Sequence, residues 1–197
     1  RIDFCGDIHV ADGIRKRLGL SKYQMFSSQS PLDLSYVSKL KNAFPSLCFA
    51  PFRASQFSGF SVIKAVLKHD IMLFYPYDSM DTFIRLLHEA AFHKNVVSIR
   101  MTSYRLAKNS KIARNLMVAA KRGKSVTVIM ELRARFDEQN NIEWSKKLTH
   151  AGCKVFYGFE GYKCHAKLCE ITMLIDNKIR SISVIGTGNF NEDTAKI

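Results

Sequence analysis

The chain is short of acid: 17 Asp and Glu stand against 30 Lys and Arg in 197 residues, a formal charge of +13. That imbalance favours a polyanionic partner: nucleic acid, polyphosphate, nucleotide phosphates or an anionic membrane surface. Charge alone does not choose among them, and a generally basic protein would show it too. Cysteine is present without pattern. Cys5, Cys48, Cys153, Cys164 and Cys169 are odd in number and include no CxxC pair, which argues against a zinc site and against a disulfide framework. Buried thiols in a reducing cytoplasm are the expectation. No apolar stretch reaches the roughly 18 residues of a membrane span, and no signal-peptide pattern is visible. What the chain does have is 47% hydrophobic residues, enough for a core and too many for a disordered tail. It opens at Arg1, stops at Ile197 without a closing element, and reads as a piece of something longer.

Two regions differ in pattern. Residues 1–65 read as a small helical and irregular segment, with a helix expected in 28–44 and an aromatic-rich connector in 48–60. From 66 to 197 the pattern is regular. Helices are expected over 78–92, 109–124 and 140–152, the first capped by Asp78 or Ser79, the others closed by Gly123 and Gly152. Strands are expected over 96–104, 125–132 and 154–159. Helices between short apolar strands mean βαβ units, hence an α/β fold with a largely parallel sheet and helices on both faces. After Gly161 the pattern becomes a hairpin, 163–175 and 179–186, turning at Asp176–Asn177.

Parallel sheets bind ligands beyond the carboxyl ends of their strands. Arg105 follows the strand 96–104, and Arg135 follows the strand 125–132. Gly186, Thr187, Gly188 and Asn189 follow the last strand and form a turn able to aim backbone N–H groups at an anion. In KCHAK (163–167), strand alternation places Lys163, His165 and Lys167 on one face, with His165 and Lys167 about 6–7 Å apart. Two arginine forks, a histidine, a lysine and an amide turn suit a phosphate. Singly, each has a plainer reading: His165 as a hydrogen-bonded structural histidine, Arg105 as a surface ion pair, Asp137 and Glu138 as a solvated loop pair. His9, His69, His88, His93 and His150 have no comparable setting. The weight lies in four segments converging on one sheet edge.

YPY (75–77), SYRLAKNSKI (103–112), ELRARFDEQNNIEW (131–144), CHAKL (164–168) and GTGNFNEDTA (186–195) resemble the bacterial polyphosphate kinase family, the long type that works through a phosphohistidine. The resemblance runs from about residue 56 to the end; residues 1–55 resemble, less closely, the end of that family's preceding helical domain. It implies a phospholipase-D-like domain over 66–197, in which a His-x-Lys segment and a later glycine–asparagine turn make the site. The aspartate usual after the lysine in phospholipases is absent, Thr172 standing at that spacing, which argues against a phosphodiesterase. By motif, His165 resembles the histidine that becomes phosphorylated, with Lys167 beside it, and Arg105 and Arg135 resemble the two arginines of the magnesium–phosphate site. Arginine has no free lone pair, so both are read as holding phosphate oxygens that also hold Mg²⁺.

The activity implied is reversible transfer of the terminal phosphate of ATP to polyphosphate, leaving ADP, in a cytoplasmic enzyme that could also sit peripherally at the inner membrane surface. The expected partners are ATP, polyphosphate, further domains of a longer enzyme and a second copy in a homo-oligomer; nucleic acid is not expected. Two alternatives stay open: a phospholipase-D-like phosphodiesterase or nuclease, and a non-catalytic polyanion-binding module.

Overall fold

The structure is a computed structural model that describes residues 1–29, 37, 40, 43–50 and 52–196. The chain forms two compact units, Arg1–Pro51 and Phe52–Ile197. In the first, β1 (Ile2–Phe4) and β2 (Met25–Ser27) pair in parallel around helix α1 (Ile8–Arg17). The Asp7 side chain starts α1 by accepting from the backbone N–H of His9 at 2.7 Å. Hydrogen bonds from Arg15 and Lys16 hold the Asp12 carboxyl down at about 2. The helix expected in 28–44 falls largely outside the described residues.

The second unit contains α2 (Val62–Val66), α3 (Asp81–Phe92), β3 (Val96–Ser103), α4 (Lys111–Lys121), β4 (Ser125–Met130), α5 (Glu138–His150), β5 (Lys154–Phe156), β6 (Lys167–Ile175) and β7 (Lys178–Gly186). The sheet order is β5-β4-β3-β6-β7. β3, β4 and β5 run parallel, whereas β6 is antiparallel to β3 and to β7. Asp176 and Asn177, at φ 49° and 58°, turn the β6–β7 hairpin in the left-handed region their side chains tolerate. Ser110 caps α4 by accepting from the Ala113 N–H, and Gly123 leaves it at φ 81°. α3 begins later than the sequence suggests. Asp78 turns back to accept from Phe74 N–H, while the Ser79 hydroxyl accepts from Asp81 N–H at 3.1 Å.

The compact boundary falls at residue 51–52 rather than near 65. Glu89 of α3 is the tie. Its carboxylate accepts from Ser61 Oγ at 2.6 Å and from the N–H groups of Val62 and Ile63 at 3.0 and 3.1 Å, seating the start of α2 on α3.

The helices cover one face of the sheet, not two, among the described residues. Ile99, Met101, Val126, Val128, Cys169 and Ile171 point to one side and share a core with Leu87 of α3, Leu116 of α4 and Leu148 of α5. The crossovers β3–α4–β4 and β4–α5–β5 step in the same direction, so their common handedness lays both helices on the same side. The strands after them join by a hairpin, which brings no helix. The opposite face shows Leu168, Leu174, Ile179 and Ile185, each at least 45% exposed, and an Arg100–Glu170 ion pair at 3.2 Å. Of the five thiols, Cys153 and Cys169 are buried, Cys164 is half-buried, and Cys5 and Cys48 are exposed. Burial pushes the Cys153 thiol up to about 11; burial, with Glu170 nearby, pushes Cys169 up to about 12.

Candidate active site

Four loops meet at the carboxyl edge of the parallel strands. Tyr104 and Arg105 leave β3, and Glu131 to Asp137 leave β4. β6, running the other way, begins there at Lys167. Gly186 ends β7 directly opposite Lys167. A side chain on Gly186 would be tight: a Cβ there would stand 3.2 Å from the Gly188 carbonyl oxygen and 3.3 Å from the Phe190 ring, so these neighbours would have to give by a few tenths of an ångström. The expected convergence is therefore present.

The ring of Tyr104 lies at its centre. The His165 imidazole meets it edge-on at 5.0 Å between centroids. Lys167 Nζ, Lys163 Nζ and the Arg105 guanidinium carbon lie 5.1, 5.5 and 5.8 Å from the ring centroid. Cations favour such a π-face, so one aromatic gathers three positive groups and the imidazole.

The shared strand face expected for Lys163, His165 and Lys167 does not form. Residues 163–166 are outside any strand, and the ladder starts only at Lys167. Lys167 takes an inward position on the buried face and is 6% exposed, whereas His165 is exposed. The two still meet, because Lys167 Nζ donates to the His165 carbonyl oxygen at 2.5 Å. Desolvation lowers the Lys167 ammonium pKa against smaller opposing effects of Tyr104 and Cys164.

The arginines differ. Arg105 donates to the backbone carbonyl of Arg135 at 3.1 Å, and its Nε stands 2.9 Å from Asp137 Oδ2 without the alignment of a hydrogen bond. Asp137 is thus the partner of Arg105. Arg135 is exposed and its side chain makes no hydrogen bond or ion pair among the described residues. Phe136 beside it is 96% exposed at φ 70°.

The turn after β7 splits in function. Thr187 and Gly188 are exposed. Asn189 is half-buried with its Oδ1 enclosed and lacking a donor among the described residues; only its amide nitrogen could serve an anion. The rest of the motif is structural. Phe190 packs on Phe83 at 4.7 Å, and Asn191 Oδ1 accepts from the N–H groups of Asp193 and Thr194. Glu192 accepts from the Lys111 N–H at the start of α4.

Sequence reasoning missed the braces. Asn141 of α5, fully buried, donates to the carbonyl oxygens of both Tyr104 and Glu131 at 2.8 and 2.9 Å. Thr102 Oγ1 donates to the Ala166 carbonyl at 2.7 Å and accepts from the Leu168 N–H at 2.9 Å. The Glu131 carboxylate accepts from the N–H groups of Arg133 and Cys164, both at 2.8 Å. The legible signal was a lone acidic residue at an apolar strand end, Glu131 in VIMEL; Thr102, among Arg100 and Ser103 in IRMTSY, carried no such signal.

For Mg²⁺ the donor set is wanting. No cluster of three His, Cys, Asp or Glu side chains that could hold a metal occurs among the described residues, and Arg105 and Arg135 cannot ligate one. The residues fit a bound anion rather than a resident cation. Two cavities, of about 390 Å³ beside Arg85 and His88 and about 380 Å³ beside Pro76 and Glu192, include none of His165, Lys167, Arg105 or Arg135.

A mixed sheet whose carboxyl edge gathers an imidazole, lysines and arginines defines an α/β domain with a positively charged strand edge. The family profile described as polyphosphate kinase C-terminal domain 1 matches residues 61–197, and the chain belongs to the polyphosphate kinase family. It is 38% identical over 196 residues to a polyphosphate kinase of Lactiplantibacillus plantarum, covering 95% of this chain and 27% of that protein. It is 46% identical over 148 residues to one of Vibrio vulnificus, covering 75% of this chain and 21% of that protein. The solved polyphosphate kinase of Porphyromonas gingivalis superposes with a TM-score of 0.70 at 33% identity, over 90% of this chain and 30% of that one. The chain thus spans roughly a quarter of the length of the curated relatives it matches.

Proposed function

We propose that this chain supplies one wall of the active site of an ATP:polyphosphate phosphotransferase, with His165 as the nucleophile. The observation that carries the reading is the gathering of His165, Lys167, Lys163 and Arg105 around Tyr104, at the sheet edge of a polyphosphate kinase family domain. An imidazole nitrogen of His165 attacks the terminal phosphorus of ATP; the N–P bond forms, the bridging P–O bond breaks, and ADP leaves with that oxygen. The terminal oxygen of a polyphosphate chain then attacks the same phosphorus, and the N–P bond breaks. Mg²⁺ enters as part of the nucleotide substrate, and no residue here is assigned to hold it directly.

Phosphoryl transfer asks the protein mainly for position and charge. Arg135, exposed and without a side-chain partner among the described residues, grips phosphate oxygens with its planar fork in this reading. Arg105 stiffens the same loop through Asp137 and the Arg135 carbonyl, and its remaining donors face the anion. Lys167 fixes the His165 backbone and adds positive potential. The backbone N–H groups of Thr187 and Gly188, both exposed residues, and the Asn189 amide nitrogen take further oxygens. The +13 charge suits a dense polyanion. No helix among the described residues is long and apolar enough to cross a membrane; a cytoplasmic setting, including the inner membrane surface, belongs to this proposal, as do a homo-oligomer and the contribution of further domains.

The test is growth of labelled polyphosphate from ATP and Mg²⁺ by the complete polypeptide carrying these residues. Growth lost in His165→Ala supports the reading. Hydrolysis of a phosphodiester without ATP would select a phospholipase-like activity, and unchanged polyphosphate binding with no synthesis in wild type would select a binding module.

A further inference from the structure

We infer that Glu131 is the positioning residue of the nucleophile loop, a latch that sets His165 against the Arg135 loop. The inference rests on the phosphohistidine reading for its catalytic consequence, but its geometry stands alone. Residues 163–166 belong to no strand, so no ladder holds them. Segments of exposed chain with that little support populate many conformations. Two side chains from the parallel strand ends substitute for the ladder. Thr102 closes the exit of the loop, bonding Ala166 O and Leu168 N–H. Glu131 closes its entry, bonding Cys164 N–H, the residue next to His165.

The same carboxylate does a second thing. Oε1 accepts from Arg133 N–H at the start of the loop that carries Arg135, while Oε2 accepts from Cys164 N–H. One rigid planar group therefore joins the loops bearing the nucleophile and the anion-binding arginine. Glu131 is 4% exposed, and its own backbone is pinned by Asn141 and by the Ser103 carbonyl. A buried acid with no cationic partner among the described residues needs such a purpose, since a buried carboxylate with fewer bonds is costly. Glutamine cannot replace it. The amide has the same length but one acceptor oxygen, and its NH₂ would face a backbone N–H, donor against donor. Aspartate keeps both acceptors but is one methylene short of spanning both loops.

The test uses Glu131→Gln and Glu131→Asp. In the complete polypeptide, single-turnover formation of phosphohistidine at His165 should slow at least about tenfold in both variants. The KM for ATP should rise by less than the rate falls, because the carboxylate bonds the residue next to His165 directly and reaches Arg135 only through the Arg133 N–H. Rates within twofold of wild type, with the label on His165, would overturn the inference and leave the function standing. Should the wild type carry no label on His165, the function fails instead, and amide hydrogen exchange decides the latch. The Cys164 amide of the unsubstituted chain should exchange at least about a hundredfold slower than an open loop amide, and Glu131→Ala, which removes both acceptor oxygens, should remove that protection. Free exchange of that amide in the unsubstituted chain overturns the latch whether or not the variants fold.

Discussion

Two junctions of the second unit use one device to different ends. At the start of α2, the Glu89 carboxylate collects Ser61 Oγ and the N–H groups of Val62 and Ile63. At the sheet edge, the Glu131 carboxylate collects the N–H groups of Arg133 and Cys164. Glu89 fixes the beginning of a helix whose Val62 and Ile63 are buried in the core, so its bonds are coupled to packing. Glu131 fixes a loop with no ladder and an exposed histidine, so its bonds are coupled to position. Equal local geometry thus buys stability in one place and placement in the other. The two arginines repeat the contrast: Arg105 is held by Asp137 and the Arg135 carbonyl, whereas the Arg135 side chain is exposed and has no partner among the described residues.

The largest effects are expected where groups face the ligand. Arg135→Lys keeps the charge but loses the fork, and each charge-assisted bond lost at the transition state is worth about 1.5–3 kcal/mol, roughly 10- to 150-fold in rate. Thermal stability should not move. Arg105→Lys should lose rate similarly and also about 1 kcal/mol or less of stability, since the partly exposed Asp137 contact goes with it. Equal stability loss in both variants by denaturant titration would break the distinction.

Glu89 should show the opposite split. Glu89→Gln leaves donors at α2 unmatched and should cost about 1–3 kcal/mol in unfolding, with the rate of the complete polypeptide within twofold. Burial pushes the Glu89 carboxyl up, but the bonds from Ser61, Val62 and Ile63, together with Arg85, outweigh it and leave it below the usual 4.5. Its contribution is therefore present in full above that value and is lost as pH falls through the lower folded value. Urea midpoints measured from pH 6 downward should fall more steeply for wild type than for Glu89→Gln; parallel curves would remove Glu89 from the acid response.

The smallest effect is expected at Phe136. Its φ of 70° is costly for a residue with a Cβ, and its ring is 96% exposed. Phe136→Gly relieves strain while adding entropy to the unfolded chain, so stability should rise by no more than about 1 kcal/mol or stay level. A loss beyond about 1 kcal/mol would show that the ring packs after all.

Much of the second unit could be read from periodicity, because its crossover helices and buried strands obey simple spacing. Gly123, Gly152 and the Asp176–Asn177 turn marked their ends, and Arg105, Arg135 and Gly186 were placed at the correct edge by strand direction alone. Three features were not legible. One-sided helix cover depends on which neighbour each crossover steps to, which spacing does not encode. The loop at 163–166 has strand-like composition, yet Thr102 and Glu131 capture its backbone groups before a ladder can. Tyr104 looked like the last residue of a strand; its part in gathering Lys163, Lys167, Arg105 and His165 arises only when the loop after β3 meets the segment leading into β6. Glu192 and Asn191, just beyond the turn read for phosphate, serve α4 and a local turn.

The most direct test of the account is mapping covalent phosphate in the complete polypeptide after brief mixing with ATP and Mg²⁺. The expected result is an acid-labile, base-stable phosphate on His165, absent in His165→Ala together with all polymer synthesis. Synthesis that persists in His165→Ala, or a phosphate mapped to another residue during turnover, would contradict it.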